Sequence, residues 1–526
     1  MRTAYETTFN ALLKHYISII QRLLHRKGVV AVGVGVTLLL FGILFKLVPT
    51  GFIPNEDMGT PFADLTAPSG YTANKTFDLM NRACDKIREL PEVQDVGGVV
   101  GVGAGSNSAN IFIQLKPWKE RKGKAHSSTA VMERINELLA QETEAQSFVS
   151  EPGMVEGYGG NGGFEFSVQG RNGQDAKTLH EVTTRFTEKL SERPEIGEVY
   201  SSYDVNYPQY RVDLDVARCK KMGVAPSTVL NEMGAYLGGD YISNFNKYNK
   251  VYQVDLQLRP SDRNRPESLA NLFVRSESGE MMPINQFVTL TKEYMPQSIN
   301  SFNMFPSIDV SGSVAEGSSS GRAIKAIQET AAKELPVGYS IEFGGITREE
   351  SQTSGRVIFI FLICIVFAYF VMVALYESLF IPLSVMLSVP FGLAGSLLFA
   401  KLFGVENNIY MQIGMVMLVG LLSKTAILLT EYASQARRDG MSLAEAALSS
   451  AKVRLRPILM TSLTMIIGML PLMFASGVGA NGSKTIGVCM VGGMLFGTLG
   501  LLLTVPVLFV MFQKIQERVR KDKSDQ

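Results

Sequence analysis

Lys424 lies inside Gly420-Leu-Leu-Ser-Lys-Thr-Ala-Ile-Leu-Leu-Thr-Glu-Tyr432, an apolar run of helical length. A cation in hydrocarbon costs at least a few kcal/mol unless it is paired or hydrated, and Lys424 is too central for its stem to snorkel comfortably to either interface. Its type and position therefore predict a functional or ion-paired lysine. Glu431, seven residues on, falls on the same helical face about 10 Å along the axis, too far to pair directly. None of the other long apolar runs carries a central acidic residue. The counter-charge must come from outside this chain, or the lysine is neutral. Arg454 and Arg456 open the next apolar run in Arg454-Leu-Arg-Pro-Ile-Leu-Met-Thr461-Ser462. Arg456 reads as a basic anchor at a membrane face. Thr461, two turns beyond Arg454, either relays a proton or bonds back to its own helix, and both readings stand.

These residues need a membrane to be informative, and the hydropathy provides one. The chain has 526 residues, 46% hydrophobic and 19% charged, with a formal net charge of +1. Several domains fit this length. Balanced charge argues against a nucleic-acid surface, and the apolar content excludes a disordered chain. Gly28 to Val48 is long enough to cross a hydrocarbon core of roughly 30 Å. A polar region follows to about Arg356, and then apolar runs return at Val357 to Leu375, Ile381 to Phe403, Ile409 to Tyr432, Ile458 to Phe474 and Thr485 to Phe512. The expectation is one span, a large external insert, then five spans. Basic clusters at Lys14, Arg22, Arg26 and Lys27, at Arg437 to Arg456, and at Lys514 to Lys523 all fall on one side of such a chain. By the positive-inside rule that side is the cytoplasm, with both termini, and the insert lies outside, in a periplasm if the cell is Gram-negative. Before the first span, Phe9, Leu12, Leu13, Tyr16, Ile20, Leu23 and Leu24 share one helical face. A helix lying on the membrane surface and a helix packed on protein fit this equally well.

The insert contains a repeat. Glu89-Leu-Pro-Glu-Val-Gln-Asp-Val96 and Glu192-Arg-Pro-Glu-Ile-Gly-Glu-Val199 each follow an amphipathic helix and lead into a strand. Strands Phe62 to Ala67, Val93 to Val100 and Ile111 to Leu115, helix Thr129 to Gln141 and a strand near Phe148 complete a β-α-β-β-α-β order around the first, the ferredoxin-like signature. The second unit begins at Phe164-Glu-Phe-Ser-Val168, breaks off after Ser201 and resumes near Ser307. Tyr210 to Ser298 is thus an inserted β-rich module, in which the turn-rich Gly238 to Asn246 reads as a projecting loop.

Weaker signals carry little chemistry. Gly477 to Thr485 superficially resembles a phosphate loop, but Ser483 interrupts the G-K pair, so it reads as a plain loop between spans. Gly97 to Gly105 lacks a dinucleotide-binding context and reads as a flexible gate. Cys84, Cys219, Cys364 and Cys489 and the four histidines are scattered, so neither a metal site nor a disulfide framework is expected. No nucleophile and base are grouped, and an enzyme is not expected.

Phe52-Ile-Pro-Asn-Glu-Asp-Met-Gly59, Ala374 to Gly392, Gly420 to Glu431 and Arg454 to Ser462 closely resemble the resistance-nodulation-division transporters, in particular the hydrophobe/amphiphile multidrug efflux pumps of the AcrB and MexB type. The resemblance covers essentially the whole chain but matches the C-terminal half of such a pump. It implies a six-helix α-helical membrane bundle with a large α+β periplasmic region: residues 1–27 an interface helix, 28–48 the first span, 49–163 the first porter subdomain, 164–209 with 299–350 the second, 210–298 a docking subdomain, 351–513 five spans and 514–526 a tail. It further implies a proton/drug antiporter of the bacterial inner membrane, driven by proton-motive force without a cofactor. Its partners would be the N-terminal half on the same or a separate chain, two further copies in a trimer, a periplasmic adaptor, an outer-membrane channel, hydrophobic small molecules and membrane lipid, with no nucleic acid. Lys424, Arg454 and Thr461 would be proton-relay positions, Phe112, Phe164 and Phe166 would line drug pockets, and Gly97, Gly101, Gly103 and Gly105 would form a switch loop without the family's phenylalanines. Phe112, Phe164 and Phe166 equally suit a strand core. Two other readings share the layout: a protein-export accessory of the SecD and SecF kind, disfavoured by the duplicated unit, and a membrane scaffold subunit.

Overall fold

The computed structural model describes residues 2–101, 105–155, 158, 160–161, 163–296, 298–315 and 317–524. Two compact units emerge, one formed by Met1–Tyr203 with Ile299–Gln526 and the other by Asp204–Ser298.

In the first unit, six helices among the described residues are long and apolar enough to cross a membrane: Lys27–Leu47, Phe359–Tyr376, Ile381–Phe403, Ile409–Arg438, Leu443–Met473 and Ala480–Val519. We number them first to sixth. Local signals start several of them. Asn408 caps the fourth by accepting the Met411 N–H at 3.1 Å, and Ser442 with Glu445 forms a capping box at the fifth. The third breaks at Leu387 and Ser388 into two helical pieces, where Pro390 at the start of the second piece removes a backbone donor. The sixth begins at Ala480, so the second half of the segment read as a plain loop is helical; the Glu56 carboxylate supplies the acceptors that its first N–H groups need.

Glycine sets the packing of the third and sixth helices. A Cβ on Gly395 would stand 2.7 Å from the Gly492 carbonyl oxygen, and one on Gly492 would stand 2.8 Å from the Gly395 oxygen. Gly392, Gly493, Gly497 and Gly500 sit in equally tight places. Backbones that approach this closely can exchange side-chain-to-backbone bonds, and Ser396 Oγ donates to the Cys489 carbonyl at 2.8 Å. The fourth helix then packs Met411, Met415, Leu418 and Leu422 on this pair, in a core shared with Leu393, Leu397 and Met494. Helix Arg2–His25 buries Tyr16, Ile20 and Leu24 against Leu502, Val505 and Phe509, and Tyr16 donates to the Leu502 carbonyl at 2.9 Å. Of the two readings of this segment, the structure supports packing on protein for that face.

The polar part of the same unit holds two similar β-α arrangements. In one, strands pair antiparallel in the order Val93–Val100, Ser108–Leu115, Phe62–Thr66, Gln146–Pro152 and then Gly160–Asn161. Helices Ala73–Arg88 and Ser128–Ala140 bury Leu79, Ala83, Ile87, Val131, Ile135 and Leu139 in one core with the strands. In the other, Phe305–Val314 lies between Ile196–Tyr200 and Gly163–Gly170, with Tyr339–Phe343 beyond. Helices Ala176–Ser191 and Ser320–Glu334 cover it. The matching helix ends are equivalent in detail: Glu89 and Glu192 both cap in the right-handed helical region, at φ −71° and −74°.

The second unit pairs Tyr207–Leu214 with Val288–Met295 along their whole length and has its own core around Cys219, Val229, Val274, Ile284 and Phe287. The turn-rich segment read as a projecting loop is instead largely strand: Asp240–Lys247 pairs with Lys250–Leu256. The turn sits at Tyr248 and Asn249, both with positive φ (53° and 58°), the handedness a two-residue hairpin needs. Cross-strand pairing overrides the local composition here.

Substituting Gly395 by Ala should force the third and sixth helices apart and lower the unfolding free energy by about 1–3 kcal/mol, read as a fall in melting temperature in detergent. Gly28, which has open space around its Cβ position, is the control, and Gly28→Ala should leave the melting temperature unchanged.

Candidate functional site

The fourth helix presents two unlike faces. Met411, Leu418, Leu422, Ala426 and Leu429 are buried, and the opposite stripe of Ile413, Val416, Gly420, Lys424, Leu428 and Glu431 is exposed. The 3.6-residue period puts Lys424 in the middle of that stripe. Among the described residues Lys424 has no hydrogen bond or ion pair. Arg454, on the fifth helix, reaches across to the fourth, with its guanidinium carbon 5.2 Å from the Tyr432 ring centre. This is cation–π distance. Arg454 Nε is buried without a hydrogen-bond acceptor among the described residues. Thr461 is exposed and donates to its own helix, to the Pro457 carbonyl at 3.1 Å or the Ile458 carbonyl at 3.0 Å. Pro457 has no N–H to offer the turn before it. The fourth and fifth helices thus carry all three residues, yet no bond joins any two of them among the described residues. Arg456 lies 5.6 Å from the Phe9 ring centre, and Arg437 bonds Glu517 at 2.9 and 3.1 Å. The basic segments consequently gather around one end of the bundle.

At the other end, a cleft of about 880 Å³ runs between the two β-α arrangements. Phe62, Phe148, Tyr158 and Tyr200 supply its aromatic surface, and Phe148 stacks on Tyr200 at 5.4 Å. Phe164 borders the cleft although it is only 2% exposed, and Phe166, also 2% exposed, packs edge-on against Phe186 within the core. Phe112 is 59% exposed and faces Phe62 across the strand pair. Phe164 and Phe166 therefore share one core, where their rings stack at 5.9 Å, whereas Phe112 lies on the surface. Gly97 is a strand residue opposite Phe112. Gly101 and Gly105 have φ of +83° and +95°, and the Gly101 N–H reaches the Ser108 carbonyl at 2.9 Å. Gly103 lies outside the described residues.

The sequence reading did not include the carboxylates of this cleft. Glu56, Asp57, Asp64, Glu133, Glu151, Glu165 and Glu198 all border it, and no lysine, arginine or histidine does among the described residues. Asp57 is engaged by Arg121 at 3.0 and 3.1 Å. Burial works against its charge, but those bonds and the guanidinium charge outweigh it, and the carboxyl stays below its ordinary range. Burial raises Glu151, against the Ser128 hydroxyl bond and helped by the charge of Asp57. Burial likewise raises Asp64 against its bond from Asn110. Glu56, 2% exposed, accepts the N–H groups of Asn481 at 3.1 Å and Gly482 at 2.8 Å. It ties the segment after the first helix to the start of the sixth, where the helix dipole favours an anion. A signal for these acids was present in Asn55-Glu-Asp57, but only the fold brings them to one cleft.

Comparison with known proteins places this geometry. A family model described as the AcrB/AcrD/AcrF family matches residues 1–513. The toluene efflux pump membrane transporter TtgB of Pseudomonas putida is 33% identical over 472 residues, covering 89% of this chain and 45% of that protein. The multidrug export protein AcrF of Escherichia coli is 31% identical over 520 residues, covering 97% and 50%. The multidrug resistance protein MdtF of the same organism is 31% identical over 524 residues, covering 98% and 50%. The chain belongs to the AcrB/AcrD/AcrF family of resistance-nodulation-division multidrug efflux transporters. It spans about half the length of the relatives it matches.

Glu56→Ala should lower the unfolding free energy by about 2 kcal/mol, the scale of lost hydrogen bonds to a charged group. Glu133→Ala, at an exposed position, should change it by less than about 0.5 kcal/mol. Thermal melts of both variants in one detergent test the contrast.

Proposed function

We propose that this chain is the C-terminal half of an inner-membrane proton/drug antiporter that exports hydrophobic or amphiphilic compounds, with both termini in the cytoplasm and the polar part of the chain in the periplasm. The observation that carries the reading is Lys424, a cation in the middle of an exposed helical face that is apolar for two turns on the side away from Glu431. Such a face requires a cover, and such a charge requires a counter-charge in that cover. A second set of helices bearing carboxylates meets both needs. Protonating those carboxylates would release the lysine, and the lost pairing would shift the fourth and fifth helices. Arg454, with an unused buried donor, and Thr461 are the neighbouring groups through which the relay would extend. Proton-motive force supplies the energy, and no cofactor is needed.

In this reading the two β-α arrangements are ferredoxin-like porter subdomains, since each has the β-α-β-β-α-β order and the same antiparallel strand sequence. The cleft between them is the path of the exported compound, with Phe112 and Phe164 on its aromatic approaches and the glycines of the Gly97–Gly105 segment as the switch loop. The Asp204–Ser298 unit docks an adaptor and an outer-membrane channel, and three copies assemble. The similarity to a toluene efflux pump and to a multidrug export protein supports the substrate class.

Lys424→Ala in the complete pump should reduce resistance to exported compounds by about tenfold or more while leaving its amount in the membrane unchanged, because the charge acts in coupling and not in folding. Drug-susceptibility assays alongside immunoblots of membranes decide it. Undiminished resistance in the variant would overturn proton coupling through this lysine and leave a scaffold role.

A further inference from the structure

Helix Arg2–His25 is packed on protein along one face, and its other faces carry charges that no acid nearby in the chain answers. With 3.6 residues per turn, the buried face of Tyr16, Ile20 and Leu24 is followed round the helix by an apolar shoulder of Leu12, Ile19 and Leu23. Leu12 is 48% exposed, and Ile19 and Leu23 are half-buried. Beyond the shoulder come Arg22 and Arg26, and beyond them Lys14, all three exposed. Lys27 follows at the start of the first span. None of these four cations has a side-chain hydrogen bond or ion pair among the described residues, and the sequence from Phe9 to Asn55 contains no aspartate or glutamate.

The chain itself sets the level of this strip relative to a membrane. Arg26 leaves helical geometry at φ −115° and ψ 56°, and the helix that resumes at Lys27 has no further charged residue until Lys46. Its outward side is apolar, with Val32 67% and Leu39 65% exposed. Acyl chains cover such a side, so the phosphate level of the bilayer falls where the charges stop, at Arg26 and Lys27. Helix Arg2–His25 packs on the end of the bundle where the basic segments gather, against Ala447, Ala451 and Phe509 among others. A helix held there along the membrane face puts its apolar shoulder into the acyl boundary and its basic flank among the phosphates. A soluble acidic partner would account for the cations but leave the leucine shoulder unexplained. A zwitterionic headgroup brings its own cation to an acid-free strip, whereas a net negative headgroup gains from every charge in it.

We propose that Lys14, Arg22, Arg26 and Lys27 form a binding strip for anionic phospholipid headgroups, and that these lipids hold helix Arg2–His25 on the bundle. Placing the strip at the cytoplasmic leaflet rests on the topology proposed above, but lipid binding itself does not depend on it.

The test uses the complete membrane protein, stripped of co-purified lipid in a neutral detergent and titrated with phosphatidylglycerol or with phosphatidylcholine of the same chains. Native mass spectrometry counts the bound lipid. Wild type should hold phosphatidylglycerol the more tightly. Arg22→Gln and Arg26→Gln should each weaken phosphatidylglycerol binding by about fivefold, the worth of one basic residue near a charged surface, and leave phosphatidylcholine binding unchanged. Arg22→Lys and Arg26→Lys should bind both lipids as wild type does. Phosphatidylglycerol should also raise the melting temperature of the wild type more than that of the double glutamine variant. Unchanged phosphatidylglycerol affinity in both glutamine variants would overturn the strip, as would equal weakening of both lipids, since that would mark a structural role. Displacement of phosphatidylglycerol by free glycerol phosphate would overturn the lipid as partner in favour of a soluble phosphate. If the strip binds phosphatidylglycerol in detergent, yet Lys14→Cys in intact spheroplasts reacts with an impermeant maleimide where the wild type does not, the strip stands and the cytoplasmic placement falls.

Discussion

The membrane part of this protein is organised by the near-contact of two backbones. Where Gly395 and Gly492 meet, a single methyl group would be under 3 Å from a carbonyl oxygen. In hydrocarbon there is no water to expel between helices, so association relies on such close packing and on hydrogen bonds across the seam. Ser396 to Cys489 is one. Once the third and sixth helices are fixed together, the fourth has a single complementary surface on which to lay Met411, Met415, Leu418 and Leu422. Its opposite face, with Lys424, is then necessarily outward.

The same seam governs the other end of the bundle. The sixth helix starts at Ala480 because the Glu56 carboxylate occupies its first N–H groups. Glu56 belongs to the segment that leads from the first helix into the polar region, so the membrane core and the cleft share a fixed point. The turn at Glu406 is held similarly: the Asn407 N–H reaches the Pro49 carbonyl at 2.8 Å and the Ile409 N–H reaches the Phe52 carbonyl at 3.0 Å. A shift of the fourth helix would therefore be felt where Glu406 faces Glu350. The short turn between the third and fourth helices thus ties the membrane part to the segment that leads into the polar region.

The cleft itself follows from duplication with interruption. Each β-α arrangement has its own apolar core. The surface between them is free to carry carboxylates that a core would reject. Asp57 is neutralised by a buried arginine, whereas burial raises Asp64 and Glu151 without any such partner among the described residues. Charge of one sign, held at a stability cost in a cleft with aromatic walls, is a mark of a binding surface.

Hydropathy runs and the 3.6-residue period are local properties, which is why the spans, the paired amphipathic helices ending at Glu89 and Glu192, and the isolation of Lys424 were legible in the chain alone. The glycine seam was not, because a glycine's value depends on what approaches it from a hundred residues away. Asp240–Lys247 has the composition of a loop, yet its pairing with Lys250–Leu256 makes it a strand. Phe112 and Phe166 are both strand aromatics, and only the stacking of sheet and helix exposes one and buries the other. Glu350 and Glu406 lie in separate stretches with nothing in either to suggest a meeting. Local sequence sets the cost of burying a residue, but which residues share a space is decided by long-range packing, where many weak contacts act together.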